Sequence, residues 1–285
     1  MSQDIIYEIS KHLGTEILEV ISVTGGDINE AYRISTETDA YFLKYNRSAH
    51  HKGIISSEVD GLQALADKHV RVPELLHHFS TEDFSGIMLE WIEVSNRQTS
   101  LEGQKDLAIQ LSIMHSITND SFGYNENNYI GSITQSNAWY SNFTDYYLES
   151  RLIPQYTLAR AKGFLSGTKD VEKTFMKMCQ TIPEEKATLL HGDLWSGNYM
   201  IDHMDKAYLI DPSASYGHRE MDIAMMHLFG GPSEMTMNIY NEILPLRPNW
   251  RDRMDVFQLY YLLVHLNIFG SSYESQVLSI INKYS

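Results

Sequence analysis

The chain has 285 residues, 43% hydrophobic and 21% charged, a profile of an ordinary globular protein large enough for one big domain or two lobes sharing a cleft. Its formal net charge of −15 argues against nucleic-acid and anionic-membrane partners, which need a basic face. No apolar run approaches the roughly 20 residues that span a bilayer, Met1-Ser2-Gln3-Asp4 lacks the basic and apolar regions of a signal peptide, and Cys179 is the only cysteine, so a cytoplasmic protein without an internal disulfide is expected.

Ile5, Ile6, Ile9 and Leu13 have helical spacing and predict a short amphipathic helix. Three strand-like runs follow, Ile17 to Thr24, Ala31 to Ser35 and Tyr41 to Tyr45. Thr24-Gly25-Gly26-Asp27-Ile28-Asn29 joins the first two. Two glycines there allow positive φ and let backbone N–H groups approach an anion, although a plain hairpin turn has the same composition. Lys44 lies inside the apolar run Tyr41-Phe42-Leu43-Lys44-Tyr45, where a charge needs a partner. Val59, Leu62, Leu65 and Ala66 then mark an amphipathic helix with Glu58 expected at its start. A strand lysine paired with a helix glutamate is the device that holds ATP phosphates in kinases. The plainer alternatives are a solvent-facing edge lysine and a carboxylate favoured by the helix macrodipole.

After Pro73, Leu75 to Phe79 and Ile87 to Ile92 read as strands. Glu90-Trp91-Ile92 falls where a kinase hinge would offer backbone groups to an adenine edge, and the lobe boundary is expected near Val94-Ser95-Asn96. That divides the chain into an ATP-binding lobe, 1–94, and a helical lobe, 95–285. From Leu101 the apolar period changes to 3.6, with Leu107, Leu111, Met114 and Thr118 on one face and His115 read as a buried structural histidine. Asn119 to Asn137 reads as a long polar loop. Helices are expected over Tyr140 to Arg160, Thr168 to Gln180, Glu220 to Phe229, Pro232 to Leu244, Trp250 to Phe269 and Ser272 to Lys283. Cys179 is read as a packing residue.

The most informative stretch is His191-Gly192-Asp193-Leu194-Trp195-Ser196-Gly197-Asn198, with Asp211 following thirteen residues later at the end of Tyr208-Leu209-Ile210. A His-x-Asp-x-x-x-x-Asn loop with a downstream strand-terminal Asp is the active-site layout of protein-kinase-like phosphotransferases. Asp193 is placed at the acceptor hydroxyl, and Asn198 and Asp211 supply the oxygen ligands that Mg²⁺ needs. His191 is expected to hold the loop by hydrogen bonds, and Asp222 to bond the loop backbone or cap its helix. Trp195, and less directly Trp139 and Tyr216, are candidates to stack on a substrate, with plain packing as the alternative.

The chain resembles the fructosamine kinase (ketosamine-3-kinase) family, within the aminoglycoside phosphotransferase and protein-kinase-like superfamily. The resemblance runs nearly end to end, through Gly25-Gly26-Asp27-Ile28-Asn29 with Lys44, Phe122-Gly123-Tyr124, Asn128-Tyr129-Ile130-Gly131, Gln135, Asn137, Trp139 and Arg151-Leu152-Ile153-Pro154-Gln155. It continues through the Asp193 loop, Asp211-Pro212, Tyr216-Gly217-His218-Arg219-Glu220-Met221-Asp222, Leu228-Phe229-Gly230-Gly231 and Tyr260 to Gly270. It implies an α+β, protein-kinase-like bilobal fold: a small antiparallel-sheet N-lobe with one key helix, and a larger, mostly helical C-lobe. It further implies ATP and Mg²⁺ as cofactors, and phosphorylation of the 3-hydroxyl of a small-molecule or protein-bound ribulosamine, erythrulosamine or fructosamine, leading to deglycation. Lys44 held by Glu58 would grip the α/β-phosphates, with Gly25, Gly26 and Asn29 in the loop that covers them. A monomer or weak dimer is expected. Ser213 stands where the family often has Ala, and Asp27 where some relatives carry Cys. The alternatives are a kinase for another acceptor, such as an aminoglycoside, and an ATP-binding pseudokinase scaffold.

Overall fold

The computed structural model describes residues 3–23, 30–47, 52–81, 83–94, 100–166 and 170–285. Helix α1 (Gln3–Leu13) precedes β1 (Glu19–Ser22), β2 (Glu30–Ser35), β3 (Ala40–Asn46), helix α2 (Lys52–Ala66), β4 (Leu75–Ser80) and β5 (Ser85–Glu90). The strands form one antiparallel sheet in the order β1-β2-β3-β5-β4. Strand alternation sets its two faces. Ile34, Leu43, Tyr45 and Met88 pack on Ile5 and Ile9 of α1, and Ile87 and Leu89 pack on Ile55 and Leu62 of α2. Lys44 lies between Leu43 and Tyr45 in β3, so the period of two turns it to the α2 face.

The remaining chain is mostly helical: α3 (Leu101–Ser116), α4 (Phe143–Tyr147), α5 (Ile153–Ala161), α6 (Val171–Cys179), α7 (Glu220–Leu228), α8 (Glu234–Ile243), α9 (Met254–Phe269) and α10 (Glu274–Tyr284). Ser100 caps α3 by accepting the Gly103 amide at 3.0 Å. A π-helical turn over Leu148–Leu152 links α4 and α5, so the single helix expected from Tyr140 is real but not uniform. Helix α9 is apolar nearly all round, with ten buried residues, and forms the centre of the lobe. Buried Cys179 packs in the same core, and burial pushes its thiol up to about 12, which fits a packing role.

Several short strands were not visible as sequence periods. β6 (Thr118–Asn119), β9 (Ala187–Leu190) and β12 (Ser215–Gly217) form a three-stranded sheet in the order β12-β9-β6. β10 (Tyr199–Ile201) and β11 (Ala207–Leu209) form the expected hairpin beyond the Asp193 loop. Thr118 therefore belongs to a strand and not to the α3 face, because the helix ends at Ser116. The expected polar loop 119–137 contains a hairpin, β7 (Asn128–Ile130) and β8 (Ile133–Gln135). Its buried polar residues are satisfied by one another and by the segment after Asp211: Gln135 Nε2 donates to Asn128 Oδ1 at 3.1 Å and to Ser213 Oγ, and Asn128 Nδ2 donates to the Ala214 carbonyl at 2.8 Å. Glu58 is also not at the start of α2. The helix begins at Lys52, in a first turn that lacks an acidic residue to mark it.

Candidate active site

The Asp193 loop leaves the fully buried strand β9 and is held from beneath by Asp222 of α7. The Asp222 carboxylate accepts the His191 amide at 2.7 Å and the Gly192 amide at 2.9 Å. His115 of α3 reaches the same carboxylate through Nε2 at 3.2 Å and bonds the Tyr240 hydroxyl through Nδ1 at 2.9 Å, so it is the structural histidine expected. His191 Nε2 donates to the Ile210 carbonyl at 2.8 Å, tying the loop to the segment carrying Asp211. That bond requires the Nε2–H tautomer and leaves Nδ1 to accept the Asp193 amide at 3.3 Å. Burial holds the His191 pKa below its usual value, so the ring is a neutral brace. Gly192 has φ +84°, and a Cβ there would collide with the Ser213 carbonyl. Only glycine fits this turn.

Lys44 Nζ bridges two carboxylates, Glu58 Oε2 at 2.8 Å and Asp211 Oδ1 at 2.9 Å. Burial opposes its charge, but Asp211 and Glu58 outweigh burial and hold the ammonium above its ordinary range. Burial likewise pushes Asp211 up, and the Lys44 ammonium reverses that and leaves it lowered. Glu58 is raised by its burial, against the pull of Lys44, and its Oε1 is buried without a hydrogen-bond partner among the described residues. Among the described residues Asp193 forms no ion pair with a lysine, and Lys44 acts on it only at longer range. Burial and the neighbouring Asp211 charge push it up to about 7, while Asn198 pulls the other way. Asn198 Nδ2 donates to the Asp193 carbonyl at 2.7 Å and to its Oδ2 at 3.2 Å, and the Asn198 backbone carbonyl accepts the Ile210 amide at 3.0 Å, so the side-chain Oδ1 is the atom that could meet a cation.

These residues line one cavity of about 300 Å³. Lys44, Glu58 and Asp211 form its charged end, with Asp193 and Asn198 beside them. Trp195, 39% exposed, and Ile268 and Phe269 of α9 form an apolar wall. Among the described residues, three carboxyl groups and one lysine line this cavity, and the raised pKa values of Glu58 and Asp193 are what a nearby cation would relieve. Asn198 Oδ1 and the Asp211 carboxylate could supply two oxygen ligands, a number that would suit Mg²⁺ completed by phosphate oxygens and water.

The other sequence candidates among the described residues do not line this cavity. Glu90 ends β5, its amide bonds the Glu74 carbonyl at 3.0 Å, and its carboxylate accepts the Glu74 amide at 3.0 Å. Trp91 donates its indole N–H to Glu93 and sits under the Arg33 guanidinium, and Ile92 is buried beyond the strand end. Trp139 and Tyr216 pack on each other, with ring centroids 6.2 Å apart, and neither lines the cavity. Gly25, Gly26 and Asn29 lie outside the described residues, as do Asp27, Ser95 and Asn96.

The whole chain, residues 1–285, matches the family model described as fructosamine kinase. The chain belongs to the fructosamine kinase family. It is 39% identical to a probable ketoamine kinase of Enterococcus faecium, over 93% of this chain and 95% of that one. It is 34% identical to the chloroplastic protein-ribulosamine 3-kinase of Arabidopsis thaliana, over 100% of this chain and 88% of that one. Among solved structures, a Haemophilus somnus protein titled "Putative fructosamine-3-kinase" superposes with a TM-score of 0.88 at 26% identity, covering 98% of this chain and 96% of that one. A thermostable aminoglycoside phosphotransferase variant, solved with AMP-PNP and hygromycin B, gives a TM-score of 0.66 at 14% identity, covering 99% and 98%. At that identity the likeness concerns the fold alone, and the fold is the expected bilobal, kinase-like α+β arrangement.

Sequence reasoning gave no role to several cavity residues, among them Tyr129, Gly131, Ile268 and Phe269. Ile268 and Phe269 are hidden within an apolar helix, where cavity-facing and core-facing residues look alike. Gly131, at φ +55°, offered the one local signal, a turn glycine within a run rich in Asn and Tyr.

Proposed function

We propose that this protein transfers the γ-phosphoryl group of ATP to the 3-hydroxyl of a ketosamine, a ribulosamine, erythrulosamine or fructosamine, free or on a protein, and so initiates deglycation. One observation supports the reading: Asp193, the Lys44–Glu58–Asp211 cluster and Trp195 all line a single cavity. Residues 1–94 would bind the nucleotide and residues 95–285 the acceptor.

Transfer is direct, without a covalent enzyme intermediate. Asp193 orients the sugar hydroxyl and accepts its proton late, because in a loose transition state positioning matters more than base strength. Lys44, held by Glu58, grips the α/β-phosphates, and the amides of the Gly25, Gly26 and Asn29 loop cover them. The backbone near Trp91 and Ile92 meets the adenine edge; Glu90, whose amide is already bonded, has only its carbonyl to offer. Mg²⁺, held by Asn198 and Asp211, would offset the phosphate charge. Trp195 stacks on the sugar or its amine substituent, with Trp139 and Tyr216 as outlying aromatic contacts.

The test is ADP release with Mg-ATP and a panel of ribulosamine, erythrulosamine, fructosamine and aminoglycoside acceptors. The expected result is turnover on a ketosamine that Asp193→Asn lowers by orders of magnitude while nucleotide binding persists. Turnover on aminoglycosides alone, or full activity in Asp193→Asn, overturns the assignment.

A further inference from the structure

Helix α2 carries Glu58 and touches the helical lobe through two glycines. A Cβ at Gly53 would lie 2.6 Å from the Tyr129 hydroxyl and 3.0 Å from its ring. A Cβ at Gly61 would lie 2.9 Å from Pro212 Cγ and 3.1 Å from the Pro212 carbonyl oxygen. At Gly61 the ring and carbonyl of Pro212 would have to give way, and at Gly53 the free end of the Tyr129 side chain would have to move, so the helix approaches both partners through bare backbone. The two contacts converge on one short segment. Pro212 directly follows Asp211, and the Tyr129 carbonyl accepts the Ser213 hydroxyl at 2.6 Å. Ser213 is anchored in turn: its amide donates to the His191 carbonyl at 2.7 Å, and Gln135 donates to its hydroxyl. Glu58 lies in sequence between the two glycine contacts, and Lys44 spans from it to Asp211.

Helix propensity points the same way. Alanine is the better helix former, and Gly61 sits in the interior of α2. The glycines suit the close approach and work against the helix itself.

We propose that Tyr129 and Pro212 are positioning residues, which seat α2 through Gly53 and Gly61 so that Glu58 holds Lys44 at Asp211. The placement of the phosphate-gripping lysine is thereby set from the acceptor lobe, by the segment that carries the cation carboxylate and by the hairpin that walls the cavity. The proposal rests on the nucleotide-binding half of the reading above and not on the identity of the acceptor.

The experiment compares wild type with Gly61→Ala, Gly53→Ala and Gly53→Ala combined with Tyr129→Phe. Mg-ADP affinity is measured by titration calorimetry, kcat and both KM values by ADP release, and folding by circular dichroism and thermal melts. If the seats position Lys44, each glycine variant folds, binds Mg-ADP several-fold more weakly and loses kcat on the order of 10- to 100-fold, as expected for a small misplacement of a catalytic group. The KM for the acceptor moves less than that for ATP. Tyr129→Phe removes the nearest clashing atom and restores part of the loss in Gly53→Ala. If the seats are incidental, Gly61→Ala raises the melting temperature through helix propensity and leaves nucleotide affinity and kcat unchanged, which overturns the proposal. A wild type that binds Mg-ADP but phosphorylates no ketosamine overturns only the acceptor assignment, and the affinity arm still decides this one. A wild type that binds no nucleotide overturns both.

Discussion

Asp193→Asn should stabilise the nucleotide-free protein at alkaline pH while removing its activity. The Asp193 carboxyl is raised from 3.8 to about 7, first by burial and then by the nearby Asp211 charge. A raised carboxyl pKa means that the folded state binds its proton more tightly than the unfolded chain does. The proton-linked stability is therefore fully present below about pH 4 and lost as pH rises toward 7. A shift of about 3 units corresponds to about 4 kcal/mol as a ceiling, at about 1.4 kcal/mol per unit. The Asp193 side chain is partly exposed, and solvent screening brings a working figure nearer 2 kcal/mol. Asparagine has no charge to neutralise and keeps an oxygen for the Asn198 amide, so the variant escapes the loss. For a chain of this size that is a gain in melting temperature of roughly 3 °C. Thermal melts of both proteins in EDTA, at pH 8 and pH 5, measure it. The gap should be full at pH 8 and smaller at pH 5, where wild-type Asp193 holds its proton part of the time. An equal gap at both pH values, or a less stable variant at pH 8, would refute the electrostatic account of this site.

Two further outcomes concern neighbouring residues. Asp222→Ala strips the acceptor from the His191 and Gly192 amides and from His115, all buried. It should cost about 3 kcal/mol or more in urea unfolding and lower kcat through a loosened loop, and a variant within 1 kcal/mol of wild type would contradict the bracing role. Trp195→Ala, on an exposed wall of the cavity, should raise the KM for ketosamine while the KM for ATP stays within about twofold, since it removes ground-state contact to the acceptor alone. Equal rises in both KM values would place Trp195 in loop structure and not at the sugar.

The legible part of this protein was local. Asp193, Asn198 and Asp211 stand at a spacing that a tight loop and one hairpin impose, and the structure brings all three into one cavity. Lys44 was identifiable because a cation inside an apolar strand demands a partner, and Glu58 proved to be that partner at 2.8 Å. The position of Glu58 within α2 was misread because no acidic residue in the first turn marks the start of that helix at Lys52. β6, β9 and β12 are two to four residues long, too short to display a period, and they pair across the chain from Thr118 to Gly217. The β7–β8 hairpin was hidden because Asn128 and Gln135 look like loop residues until Ser213, Ala214 and Tyr260 are seen to satisfy them.

By itself, then, the sequence determined which groups could handle a phosphate and a hydroxyl, because residue type and short spacing set that chemistry. The tertiary structure decided how they act together: Lys44 shared between two carboxylates, Asp193 raised by burial beside Asp211, and a cavity wall supplied by the end of α9. Charge sharing, desolvation and close packing depend on distances between segments far apart in the chain, and those distances exist only once the chain has folded.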